Sequence, residues 1–198
     1  MDENEDASNA SGNRVRRVSS QRLIITSVLI SIASLILIAF LYSHAQHNAR
    51  GRMDALSGRV AMTESQIIDL VSREKLTAYW GGPRPGYLYT LAVTKKNRII
   101  VSYVAAKVSP ARQLVNSRVI ATYLSKDAFS NSLAAALRPG NTSFRKSDGS
   151  VVFYSSKRDN DVYMSFPKKN VQIEIYDPMA GQALSLAILQ DQISPIGA

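Results

Sequence analysis

The 198-residue chain has no cysteine. That excludes disulfides, thiolate nucleophiles, cysteine–zinc sites and lipoprotein-type acylation. Histidine is almost as scarce: His44 and His47 are the only two, so residues 48–198 hold none. Neither a Ser-His-Asp triad nor a Cys-His pair can form there. The two histidines stand at helical i, i+3 spacing, but two ligands seldom hold a metal ion. No catalytic constellation, metal or other cofactor is expected.

Charge is missing from one stretch. Residues 23–42 read LIITSVLISIASLILIAFLY, twenty residues without a charge. As a helix they span about 30 Å, the thickness of a bilayer's hydrocarbon core. Thr26, Ser27, Ser31 and Ser34 are tolerable because a helical hydroxyl can bond back to a carbonyl. Arg14, Arg16, Arg17 and Arg22 flank the run on its N-terminal side, against Arg50 and Arg52 beyond it. The positive-inside bias therefore puts the N-terminus in the cytoplasm and residues 43–198 outside. Ser43 and Ala45 offer small residues in a cleavage-like arrangement, but the apolar run exceeds a signal-peptide core, so a retained anchor is expected. Residues 1–22 are polar, poor in anything to bury, and carry equal numbers of acids and bases; they read as a disordered cytoplasmic tail. The excess of +9 thus lies after the apolar run, where twenty Lys/Arg face eleven Asp/Glu. A cationic domain beside a membrane favours anionic neighbours such as lipid headgroups or acidic envelope polymers.

Residues 43–74 read as a helical stalk. Met53, Leu56, Val60, Thr63, Ile67 and Leu70 fall at alternating spacings of three and four, an a/d seam that predicts a parallel homodimer through Met53, Leu56, Val60, Ile67 and Leu70. The competing reading is an amphipathic helix folded back on its own domain.

Residues 75–198 form the outer domain. Strands are expected at 87–93, 98–104 and 119–124, with a hairpin at 94–97. Ser125 or Asp127 can cap a helix to Leu137, with Phe129, Leu133 and Leu137 as its apolar stripe. Strands at 151–154, 162–166 and 171–176 follow, the first two joined by a turn at 156–160. Asp177 and Pro178 then open a last helix, running to about Gln190. Hairpin, strand and helix thus occur twice in order, a degenerate repeat. The pattern predicts an α+β domain, with a mostly antiparallel sheet and helices on one face.

The Gly-Pro-rich loop at 81–86 is the most site-like feature. Arg84 offers a fork for carboxylate or phosphate, while Trp80 and Tyr87 could stack on a sugar or peptide. The plainer reading is a rigid connector whose Trp80 plugs the core. Without a Lys-Ser/Thr ending it is no P-loop, and no nucleic-acid partner is expected. Lys157, Arg158, Lys168 and Lys169 sit in two turns that could share one end of the sheet as an anion-facing rim. Asp148, Glu174 and Asp177 are candidate carboxylates for glycoside cleavage, without a spacing that pairs them. Asp159 and Asp161 read as turn residues.

The run Tyr79-Trp80-Gly81-Gly82-Pro83-Arg84-Pro85-Gly86-Tyr87, then Tyr89-Thr90-Leu91, Asp148-Gly149, Phe166-Pro167 and Glu174-Ile175-Tyr176-Asp177-Pro178, resembles an uncharacterised, mostly actinobacterial family. The resemblance covers residues 75–196 and implies single-pass proteins with an N-terminal anchor and a helical linker; it implies no activity. The expected function is a membrane-anchored, extracytoplasmic binding or structural module of a bacterial cell envelope, facing an anionic polymer or another membrane protein. Alternatives are a carboxylate-based cell-wall glycan enzyme and a sensory or regulatory membrane subunit.

Overall fold

The computed structural model describes residues 49–96, 98–107, 116–189 and 192–198, with Leu37, Ile38, Phe40, Ser43 and Gln46 before them. Two units divide the chain, residues 1–51 and 52–198. In the first unit the described residues are helical. The apolar run at 23–42 lies outside them apart from Leu37, Ile38 and Phe40; among the described residues no helix is long and apolar enough to cross a membrane.

The second unit holds a seven-stranded sheet. Its strands are β2 (Tyr87–Val93), β3 (Arg98–Ala105), β4 (Val119–Leu124), β5 (Asn141–Arg145), β6 (Val151–Ser155), β7 (Arg158–Ser165) and β8 (Val171–Tyr176). They lie in the order β2-β3-β4-β8-β7-β6-β5, every neighbour antiparallel. A short strand β1 (Tyr79–Trp80) pairs apart from it with β9 (Ser194–Pro195). Helices α1 (Glu64–Arg73), α2 (Ala128–Ala136) and α3 (Gln182–Ile188) complete the α+β architecture.

Period-two alternation is strictest in β8. In β8 Val171, Ile173 and Ile175 are buried while Gln172, Glu174 and Tyr176 are half-buried on the other face. The apolar face, joined by Leu91, Val101 and Ile120, packs under α1 and α3. Each such side chain contributes about 1.5–3 kcal/mol on burial. The opposite face meets α2 through Val151, Phe153 and Tyr163. Helices therefore cover both faces, not one. Two three-stranded meanders, β2-β3-β4 and β6-β7-β8, meet at β4 and β8, but the helices after them take opposite faces.

The stalk seam does not run as one helix. Helical structure stops at Ala55, and residues 56–62 line the edge of β2, with Gly58 N–H donating to Leu91 O (2.9 Å) and Met62 N–H to Tyr89 O (2.8 Å). Gly58, at φ +78°, takes a left-handed conformation that a continued helix excludes. Thr63, a seam residue by spacing, is the N-cap of α1: its hydroxyl accepts from Gln66 N–H, and Gln66 Oε1 accepts from Thr63 N–H. Ile67 and Leu70 are buried in the domain's own core, whereas Met53 is 65% exposed. The folded-back reading holds for α1, and the compact unit begins at Arg52 rather than residue 75.

The α2 stripe also shifts. Ala128, Ser132 and Ala136 face inward, Phe129 and Leu133 flank them, and Leu137 is 85% exposed. Asp177 does not cap the last helix, which starts five residues later after Gly181. The β6–β7 turn is tighter than expected, at 156–157, so Asp159 and Asp161 belong to β7.

Candidate functional site

Residues 81–86 are held from beneath by two tyrosines of the sheet. The Tyr103 hydroxyl accepts from Gly81 N–H and donates to Gly82 O, both at 2.9 Å. Tyr89 Oη accepts from Arg84 N–H at 2.7 Å. Burial pushes the Tyr103 phenol far above its ordinary value, so it stays a donor. A Cβ on Gly81 would stand 3.2 Å from Leu186 Cδ2, which explains glycine at this close approach. Trp80 is 5% exposed and meets Tyr89 edge-on at 5.4 Å; it plugs the core and is not placed to stack on a ligand.

The loop's outer side is different. The Arg84 guanidinium lies 4.4 Å above the Tyr87 ring. Both line a groove of about 450 Å³, with Tyr103, Arg118, Asp177 and Met179 among its walls. Arg118 Nε donates to Asp177 Oδ2 at 2.7 Å, with side chains only 10% and 4% exposed. Met179 N–H donates to the other Asp177 oxygen at 2.9 Å. Arg118 also lies over the Tyr103 ring at 5.5 Å. The floor is thus a fixed ion pair, and a stacked guanidinium stands at the side. Such a pocket can orient a planar or anionic group, because a stacked Arg presents its N–H groups in one plane.

A second polar cluster lies on the α2 face of the sheet. Tyr123 Oη donates to Glu174 Oε2, and Arg98 Nη1 donates to Tyr123 Oη at 3.1 Å. Tyr163 Oη donates to Asp161 Oδ2 at 3.4 Å, while Asp161 Oδ1 is buried without a hydrogen-bond partner. Burial, then the Glu174 charge, raises the Asp161 carboxyl. Burial and the Glu174 charge likewise raise the Tyr163 phenol, whereas burial and the hydrogen bond to Glu174 raise that of Tyr123. The hydrogen bond to Tyr123 holds Arg98 charged.

Of the candidate site residues, Arg84 and Tyr87 come together and Trp80 turns away from them. Lys157 and Arg158 lie at the β6–β7 turn, Lys168 and Lys169 at the β7–β8 turn. These are opposite ends of β7, because successive antiparallel hairpins turn at alternate ends. The two pairs therefore form no common rim. The carboxylates separate as well. Asp148 closes a turn, accepting from Ser150 N–H and Oγ; burial pushes it up, but those bonds and Lys146 outweigh it and hold it low. Glu174 faces Asp161 rather than Asp177, since Tyr163 is its cross-strand partner. Arg118, Tyr103 and the Asp161–Tyr163 pair were not singled out from the sequence. The polar side of β7 and β8, at every second residue, is the signal that could have found the last pair. Among the described residues no three His, Asp or Glu side chains converge on a metal position.

No known protein family, curated protein or solved structure matches the chain. The family resemblance therefore stays on the residues that carry it.

Proposed function

We propose that the chain is a membrane-anchored, extracytoplasmic binding module of a bacterial cell envelope, with the Arg84–Tyr87 groove as its ligand-facing site. The observation that carries this reading is the Arg84 guanidinium stacked at 4.4 Å on Tyr87 beside a groove already braced by the Arg118–Asp177 pair. That arrangement suits an acidic group of an envelope polymer. Retention of purified full-length chain on immobilised acidic polysaccharide tests it. Arg84→Glu is expected to lower retention at least tenfold and Tyr87→Ala several-fold, consistent with losing a charge-assisted contact. Retention unchanged by both variants would remove the groove from the proposal.

One observation favours a second reading, an enzyme acting on glycans. Asp161, with its unpartnered buried oxygen and raised carboxyl, stands diagonally across from Glu174 on the same face of the sheet, near enough for the Glu174 charge to raise it. A carboxyl held protonated beside a second carboxylate is the pairing that glycoside cleavage uses. Hydrolysis of cell-wall glycan lost in both Asp161→Asn and Glu174→Gln would establish it.

A further inference from the structure

The end of the sheet opposite the Arg84 groove carries four connections: residues 94–97 between β2 and β3, 125–127 between β4 and α2, 146–150 between β5 and β6, and 167–170 between β7 and β8. They hold Lys95, Lys96, Lys126, Lys146, Lys168 and Lys169 against only two carboxylates, Asp127 and Asp148. All but Lys146 are exposed. Among the described residues two non-glycine residues have positive φ, Lys75 (51°) and Lys168 (61°). Lys168 stands in one of these connections, where glycine or asparagine would relieve the backbone. A groove of about 540 Å³ opens here between Lys126 and Lys169, walled by Tyr79 and Leu124. Lys169 Nζ stands 4.8 Å over the Phe166 ring and 3.5 Å from Tyr79 Oη. Val93 and Leu124 add exposed apolar side chains to the same end.

The chain also enters the domain at this end. Val93 N–H donates to Leu56 O (2.9 Å), and Arg52 pairs with Glu74 (2.6 Å) at the close of α1. Thirteen residues lie between Tyr42 and Leu56, a tether of at most about 50 Å. The eight residues of β7 hold the two ends of the sheet about 26 Å apart. A membrane's surface field decays within about 8 Å at physiological salt, so one end can lie in it while the other does not.

We propose that this lysine-bearing end docks on the anionic phospholipid headgroups of the membrane that holds the anchor. Val93 and Leu124 would seat at the headgroup boundary, and the Arg84 groove would point away from the bilayer. The inference rests on the anchored reading above and adds an orientation to it. Each lysine near an anionic surface changes surface partitioning about fivefold.

The absence of cysteine makes the test direct. Full-length chain with one introduced cysteine, Lys96→Cys, Lys168→Cys or Lys157→Cys, is labelled with a fluorophore. It is reconstituted in nanodiscs containing headgroup-quencher lipid, with or without phosphatidylglycerol. The expected result is strong quenching at 96 and 168 and little at 157, requiring phosphatidylglycerol and lost in high salt. Lys95→Glu with Lys169→Glu should reduce quenching at 168 severalfold and leave circular dichroism unchanged. Equal quenching at 168 and 157, or quenching indifferent to lipid charge, overturns the docking while leaving the anchor standing. Failure of the chain to stay with the lipid in alkaline carbonate overturns the anchor, and the docking with it.

Discussion

Replacing Asp177 with Ala isolates the one buried ion pair in the groove floor. Arg118 would keep its charge at 10% exposure with no carboxylate to meet it. Removing one partner of such a pair costs about 3–5 kcal/mol, because the remaining charge stays desolvated. The Met179 N–H loses its acceptor too, which adds about 1 kcal/mol. Against a total stability of about 5–15 kcal/mol this is a large fraction. Trp80, the single tryptophan and a core residue, reports unfolding directly. Urea titration of the full chain in non-ionic micelles should show the midpoint falling by about 2 M, for a slope of about 2 kcal/mol per molar. Arg118→Ala should cost about as much, and the double variant much less than the sum of the two. A cost under about 1 kcal/mol for Asp177→Ala, or strict additivity, would refute the description of a desolvated, coupled pair.

Asp161 has a raised carboxyl, so its protonation stabilises the fold. That contribution is complete below the unfolded carboxyl's pKa and is lost as pH rises through the native value. Asp161→Asn should therefore raise the urea midpoint at pH 7 and change it little at pH 3. Gly58→Ala should cost about 1–3 kcal/mol in the same titration, since its φ is +78° and the new Cβ would sit 3.0 Å from Ala92 Cβ. Ile67→Ala should cost about 2–5 kcal/mol from the domain core, whereas Leu137→Ser should stay within about 0.5 kcal/mol.

Three central strands were legible. Residues 87–93, 119–124 and 171–176 match β2, β4 and β8 end to end: β8 alternates strictly, while β2 and β4 are short β-branched and aromatic runs bounded by turn residues, with three consecutive residues buried in each. β5 was not legible: Asn141-Thr142-Ser143-Phe144-Arg145 is a polar edge strand that bonds only to β6, and it buries too little to leave a pattern. The heptad seam misled because 3.5-residue spacing survives a break. Helix end, edge segment and new helix placed apolar residues in register by count, while Gly58 and the Thr63 capping box interrupted the helix. The rim of Lys157, Arg158, Lys168 and Lys169 failed for a topological reason, the two turns lying one strand length apart. Arg84 and Tyr87 were found because a Gly-Pro loop fixes its neighbours locally. Arg118 was not, because its partner is 59 residues away and pairing at that distance is a property of the fold.

On the proposed reading, residues 23–42 anchor the chain with its folded domain outside the membrane. Single-cysteine versions of the full chain, Asn9→Cys and Lys157→Cys, should be treated in intact bacterial cells with a membrane-impermeant maleimide. Labelling at 157 without permeabilisation, and at 9 only after it, is the predicted result. Labelling at 9 alone in intact cells, or at neither position until the cells are opened, would contradict the account.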